Sequence, residues 1–234
     1  MVILVYNIPH MNTKLVIIST VAVIAFVIMA YFMTNKPEQT VYPEMTQVRP
    51  TESTASGKLT DHTLGTGKHV MIEYSDLQCP ACKSFHEYLT QEKKKDANFA
   101  KIMNEQYSFV YRHFPLTAIH KNAELAARSA EAAALQNKFY EFLDKAFATQ
   151  GSWAQSDTAR EYFVTIAEEL GLNTQQFNTD IDSDAVSAKI TADVNSGETA
   201  KIDATPTFFI DGEKIKGFGT FPEFKQIIID STKN

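Results

Sequence analysis

The pattern of apolar and polar positions divides the chain into three stretches. Leu15 to Met33 holds nineteen consecutive residues without a charge, Pro or Gly, roughly 28 Å as a helix and close to the hydrocarbon thickness of a bilayer. From Thr34 to about Gly57 the pattern vanishes, and three prolines interrupt a tract of Thr, Glu, Ser and Gln with little to bury. Beyond Lys58, short apolar runs alternate with segments of helical period. His69 to Tyr74 suits a buried strand. Pro80 toward Lys94 reads as a helix, with proline in its first turn and Phe85, Tyr88 and Leu89 at helical spacing. Ser108 to Phe114 alternates as a second strand stopped by Pro115. The Ala-rich stretch at about 118–196 predicts several helices, with Gly151 and Gly171-Leu172-Asn173 as connections and Ser156 and Thr174 as N-caps. Thr207 to Ile210, the turn Asp211-Gly212 and Lys214 to Lys216 carry a hairpin signal, and Phe221 to Asp230 closes as an amphipathic helix.

These elements predict an α/β domain over 58–234, its mixed sheet interrupted by a helical insertion and preceded by one N-terminal transmembrane helix. Residues 1–14 are then cytoplasmic by the positive-inside rule, since Lys14 precedes the run, and 15–33 form the anchor. Residues 34–57 form a flexible linker that holds the domain on the order of 25 to 30 Å from the membrane. A cleaved signal peptide is the alternative for 15–33. Its apolar region is long for a signal, and Ile28, two before Ala30, is bulky for a cleavage site. Met11-Asn-Thr-Lys offers a second translation start besides Met1.

Composition narrows the function. The 234 residues carry a net charge of -6 with positive residues dispersed, which excludes the basic footprint of a nucleic-acid binder. Asp180, Asp182 and Asp184 lack the glycine and distal Glu of a calcium loop, so no metal is expected there.

Two cysteines occur, as Cys79-Pro80-Ala81-Cys82. At a helix N-terminus the first thiol meets unpaired N–H groups and the positive end of the helix dipole, which stabilise its thiolate. Cys79 is thereby the expected exposed nucleophile and Cys82, a turn inside, the buried resolving thiol, with the redox-active disulfide between them and no separate cofactor. Half a zinc site would have to recruit scattered histidines, and a structural disulfide closing so small a loop would remove little unfolded-state entropy. Pro80, Ala81 and His86 are candidates for tuning the pair; His86 shares a helix face with both cysteines, where an ordinary packing histidine is the alternative. Glu73, an acid in an apolar strand, is either a buried proton shuttle for Cys82 or a solvated edge residue.

The runs Ile72–His86 (IEYSDLQCPACKSFH), Val110–Leu116 (VYRHFPL), the Ala-rich KNAELAARSAEAAALQNKFYEF and Ala204–Phe218 (ATPTFFIDGEKIKGF) occur in this order over about 58–230. Together they resemble DsbA-like thiol:disulfide oxidoreductases, of thioredoxin-like fold with a helical insertion, in their membrane-anchored bacterial branch. The resemblance implies that Cys79 is the nucleophile, Cys82 its partner and Glu73 the buried acid, with Thr205-Pro206 a cis bond presenting backbone to a substrate chain. Ala204 departs from the Gly often found before Thr-Pro. The implied partners are reduced exported proteins as substrates and a quinone-linked membrane thiol oxidase as reoxidant. Open alternatives are a reductase or isomerase using the same pair, and a non-catalytic binding module of the same fold.

Overall fold

The most continuous apolar run of the domain lies at the centre of its sheet, where both faces are covered. The computed structural model describes residues 60–233. Its strands are β1 (His62–Leu64), β2 (His69–Ser75), β3 (Tyr107–His113), β4 (Thr207–Ile210) and β5 (Glu213–Lys214), in the order β1-β3-β2-β4-β5. β2 runs parallel to β3 and antiparallel to β4, with Glu73 opposite Tyr111 and Ser75 opposite His113. Every residue of β2 except Val70 is buried, as expected of a strand packed on both sides.

The helices are α1 (Pro80–Lys95), α2 (Ala97–Glu105), α3 (Ala123–Ala134), α4 (Phe139–Ala148), α5 (Gln150–Trp153), α6 (Ala159–Glu169), α7 (Thr174–Asp180), α8 (Asp184–Thr199) and α9 (Phe221–Ser231). Helices α1, α2 and α9 pack on one sheet face through Phe85, Phe99, Phe224 and Ile228 against Met71 and Phe208. Ile72, Tyr74 and Phe209 point to the other face, toward Ala200 and Ile202 after α8. The alternation along β2 puts Met71 and Glu73 on one side and Ile72 and Tyr74 on the other. Phe85, three residues after Cys82, meets the rings of Phe208, Phe218, Phe221 and Phe224 at centroid distances of 4.8 to 5.2 Å. Those contacts hold the start of α1 over the end of the sheet.

Helices α3 to α8 form the insertion, with a core of Phe142, Phe147, Trp153, Phe163 and Phe177 closed by the small residues Ala126, Ala130 and Ala133 of α3. A buried charge network joins it to the sheet. Glu131 on α3 is fully buried and takes His62 Nε2 at 2.8 Å, while His113 Nε2 lies 3.1 Å away and Lys189 Nζ 4.0 Å away. Lys189 in turn binds Asp193 at 2.6 Å, and Asp61 chelates Arg112. Burial alone would raise the Glu131 pKa, but His62, Lys189 and His113 hold it well below the usual carboxylate range.

Several local expectations are corrected. After the expected helix a further one begins that was not anticipated; Asp96 accepts from Asn98 N and Phe99 N and starts α2. The short edge strand β1 was not anticipated, its three residues being too few to show a period. Gly151 is not a connection but lies inside the one-turn α5. The chain turns at Asn137, which was not anticipated and takes a positive φ of 61°, and at Gly171, with φ 72°, within the expected connection. Ser156 accepts from Thr158 N while Thr158 itself precedes α6, and α7 is capped by Asn173, with Thr174 as its first residue. The second hairpin strand is Glu213–Lys214, not Lys214 to Lys216. The expected cytoplasmic segment 1–14, transmembrane helix 15–33 and linker 34–57 lie outside the described residues, among which no helix is long and apolar enough to cross a membrane.

Glu131→Gln removes the carboxylate shared by His62, His113 and Lys189 while Lys189 keeps Asp193, and breaking a buried charge network of this kind costs on the order of 3 to 5 kcal/mol. Because the folded pKa of Glu131 is depressed, its contribution is complete above the unfolded value of about 4.3 and is lost as pH falls below it. Urea unfolding is therefore expected to show a large deficit for the variant at pH 7 that shrinks below about pH 4.

Candidate active site

Between Ser75, the last residue of β2, and Pro80, the first of α1, the chain has four residues in which to turn. Cys79 is the N-cap of α1, with extended backbone (φ -72°, ψ 123°) and no side-chain capping bond, and Pro80 occupies the first helical position, where its missing N–H costs nothing. The Cys79 N–H donates to Asp76 O at 3.0 Å, and the Cys79 carbonyl accepts from Lys83 N at 3.1 Å and from Gln150 Nε2 at 3.1 Å. Across the site the Thr205–Pro206 peptide is cis, the isomer implied by the resemblance, and the Cys79 thiol donates to Thr205 O at 3.4 Å. Cys82, fully buried, receives the Asp76 N–H at 3.4 Å. Both cysteines are free thiols.

The two sulfurs have opposite acidities. The Cys82 thiol, donating to the Cys79 sulfur, is the largest influence on Cys79 and lowers it; partial burial opposes this, and the Cys82 and Ala81 N–H groups and the Thr205 hydroxyl add to the lowering, leaving Cys79 at about 5. Among the described residues the Thr205 hydroxyl has no other hydrogen-bond partner. Burial pushes Cys82 well above the ordinary thiol value, and its donation to Cys79 and the charge of Glu73 push it further.

Glu73 is buried rather than edge-facing, 4% exposed on the side of β2 that faces α1. Burial raises its pKa to about 7 against the lowering effects of Ser75 and His86. Its Oε1, Ser75 Oγ and Tyr111 OH are buried without an aligned hydrogen bond, although the Ser75 hydroxyl is near enough to lower both the Glu73 carboxyl and the Tyr111 phenol. Such a loosely bonded polar cluster inside an apolar layer is costly and marks a candidate functional position.

The structure thus brings Glu73, Cys79, Cys82, Thr205 and Pro206 together. Pro80 and Ala81 are exposed at the helix start. Cys79, expected to be exposed, is only 7% so, because the cis-proline loop and the Asp76–Gln78 turn flank it. His86 does not reach the cysteines; its Nε2 binds Asp144 of α4 at 2.7 Å and its ring stacks on Phe147 at 4.8 Å, which joins the active-site helix to the insertion. Asp76, Gln78, Asn122 and Gln150 were not anticipated. Gln78 donates to Ala154 O and accepts from Asn122 N, and Gln150 donates to Leu77 O and Cys79 O. Asp76 and Gln78 lie in the buried turn, and Asn122 and Gln150 reach it from the insertion, so only their exclusion from solvent marks them.

The sequence model of the thioredoxin family matches residues 58–230. The chain belongs to the thioredoxin family. Among solved structures, BdbD from Bacillus subtilis superposes with a TM-score of 0.63 at 21% identity, covering 74% of this chain and 94% of that one. A thioredoxin-like oxidoreductase from Silicibacter pomeroyi gives 0.57 at 26% identity, covering 74% and 92%. An alanine-substituted form of Wolbachia pipientis alpha-DsbA1 gives 0.61 at 26% identity, covering 74% and 91%. The domain has the fold of DsbA-type thiol:disulfide oxidoreductases. Curated relatives include the Na(+)/H(+) antiporter NhaA 1 of Mycolicibacterium vanbaalenii, 35% identical over 150 residues, which is 63% of this chain and 22% of that protein. NhaA of Herminiimonas arsenicoxydans is 33% identical over 159 residues, 67% of this chain and 23% of that protein. The chain spans less than a quarter of the length of these relatives, and the transport in their names is theirs.

In the reduced protein, iodoacetamide is expected to alkylate Cys79 with a pH midpoint near 5 and Cys82 only at much higher pH. Since the folded pKa of Cys79 is depressed, the stability it contributes to the reduced form is complete above the unfolded thiol value of about 8.5 and is lost as pH falls through about 5. Chemical unfolding of the reduced protein across that range measures it.

Proposed function

We propose that this chain is an extracytoplasmic thiol:disulfide oxidoreductase whose Cys79–Cys82 disulfide is donated to reduced exported proteins. The observation that carries the reading is the split between the two thiols, with Cys79 at about 5 and Cys82 driven up. A thiolate stabilised in the reduced form makes the disulfide easier to reduce, which is the property of an oxidant. The apolar run 15–33 supports a membrane-tethered placement outside the cytoplasm.

In the reaction a substrate thiolate attacks Cys79 Sγ. The Cys79–Cys82 bond breaks, a mixed disulfide forms on Cys79, and Cys82 leaves as a thiolate that takes up a proton, for which Glu73 is the adjacent donor. A second substrate thiolate then attacks the substrate sulfur of the mixed disulfide and expels Cys79 as its stabilised thiolate. The substrate gains a disulfide and the pair ends reduced, two electrons having passed to it. Thr205 and Pro206, against the Cys79 sulfur, present backbone to the substrate chain as a strand edge does. A quinone-linked membrane thiol oxidase returns the pair to the disulfide.

The test is the reduction potential of the pair, equilibrated in glutathione buffers. A value toward about -120 mV is expected; one near about -270 mV would place the chain on the reductase side. Cys79→Ser is expected to abolish oxidation of a reduced substrate protein. Glu73→Gln is expected to slow it on the order of ten- to a hundred-fold and to remove the rate dependence near pH 7, the value to which burial raises Glu73. Wild-type exchange in the Cys79→Ser variant overturns the reading.

A further inference from the structure

The turn before Cys79 contains a fully buried carboxylate that the scheme above does not use. Asp76 Oδ1 accepts Gln78 N at 2.7 Å; Oδ2 accepts Leu116 N at 2.9 Å and His120 Nδ1 at 2.7 Å. Two of these three donors belong to the loop between β3 and α3, remote in sequence. The main chain of the same residue touches both cysteines, its carbonyl accepting from Cys79 N and its N–H donating to Cys82 Sγ at 3.4 Å. Three side-chain bonds to rigid partners fix the Asp76 peptide, and hence the direction of that N–H.

Cys82 is otherwise surrounded by groups that disfavour negative charge on its sulfur. Burial acts first, Glu73 faces it from β2, and Cys79 faces it from the start of α1. The Asp76 N–H acts in the opposite sense and favours the thiolate. When Cys79 is attacked, the electron pair of the Cys79–Cys82 bond passes to Cys82, and a pre-aimed donor at that sulfur stabilises the charge as it develops. The same donor serves the reverse step, in which Cys82 attacks Cys79 and expels a bound thiol.

We propose that Asp76 is a positioning residue for Cys82: its carboxylate, clamped by Leu116 and His120, aims the main-chain N–H at the sulfur that departs when Cys79 is attacked. The inference rests on the oxidoreductase reading above and deepens it. It makes the β3–α3 loop, through His120, a determinant of how readily the second cysteine reacts.

The test uses the full chain carrying glutathione on Cys79, with acid quenching and thiol trapping to follow glutathione release by Cys82 over a range of pH. Asp76→Ala removes all three clamps; His120→Ala removes one at a half-buried position and guards against loss of fold in the first variant. Release is expected to slow about ten-fold in Asp76→Ala and by a few-fold in His120→Ala. The alkaline limb that reports Cys82 ionisation is expected to move to higher pH, while the Cys79 thiolate of the reduced protein still titrates near 5. A merely structural role would lower thermal stability and leave that limb in place, and this outcome, or wild-type release in both variants, overturns the proposal. If the wild-type chain itself exchanges no glutathione, the oxidoreductase reading falls, and this inference with it.

Discussion

The constraint on which the rest depends is the passage from β2 into α1 in four residues. A central parallel strand must end, reverse its hydrogen bonding and deliver a helix N-terminus at the sheet edge, and every polar group of that passage is shut away from water. Asp76 and Gln78 meet the demand from within the turn, while Asn122 and Gln150 meet it from the insertion. Buried amides and carboxylates without such partners would cost more than the turn can bear. The insertion is therefore part of the site: it supplies donors to the buried turn that leads into the helix start.

The same geometry separates the two sulfurs. At the cap, Cys79 collects N–H groups, the Cys82 thiol and the Thr205 hydroxyl; one turn inside, Cys82 collects burial and the field of Glu73. Identical side chains three residues apart acquire opposite acidities from position alone, and that difference is what a directional exchange reaction requires. Glu73 reaches Cys82 because β2 alternates, its side chain falling on the face that α1 covers.

The relatives divide along a related line. Solved structures that share the fold cover this domain almost end to end on their own side, whereas the curated relatives match it with under a quarter of their length. The unit shared with both groups is the thioredoxin-family domain, and a fold of this kind leaves its chemistry to the site it carries.

The cysteine spacing, the buried strand before it, the proline at the helix start and the closing hairpin and helix were legible in the sequence, because each is a local pattern of period or turn chemistry. Glu73 was legible only as two alternatives, since an acid in a strand is buried or edge-facing according to neighbours far along the chain. Asp76, Gln78, Asn122, Gln150 and Glu131 read as ordinary polar residues; their partners lie tens of residues away, and no local period marks them. The His86 position followed from helical geometry, but its partner, Asp144, did not. By itself the sequence determined the principal strands and helices of the domain and the spacing of its two cysteines. Only the tertiary structure decided how acidic each sulfur is and what holds the turn between strand and helix, because desolvation and hydrogen bonding are set by groups that folding brings together.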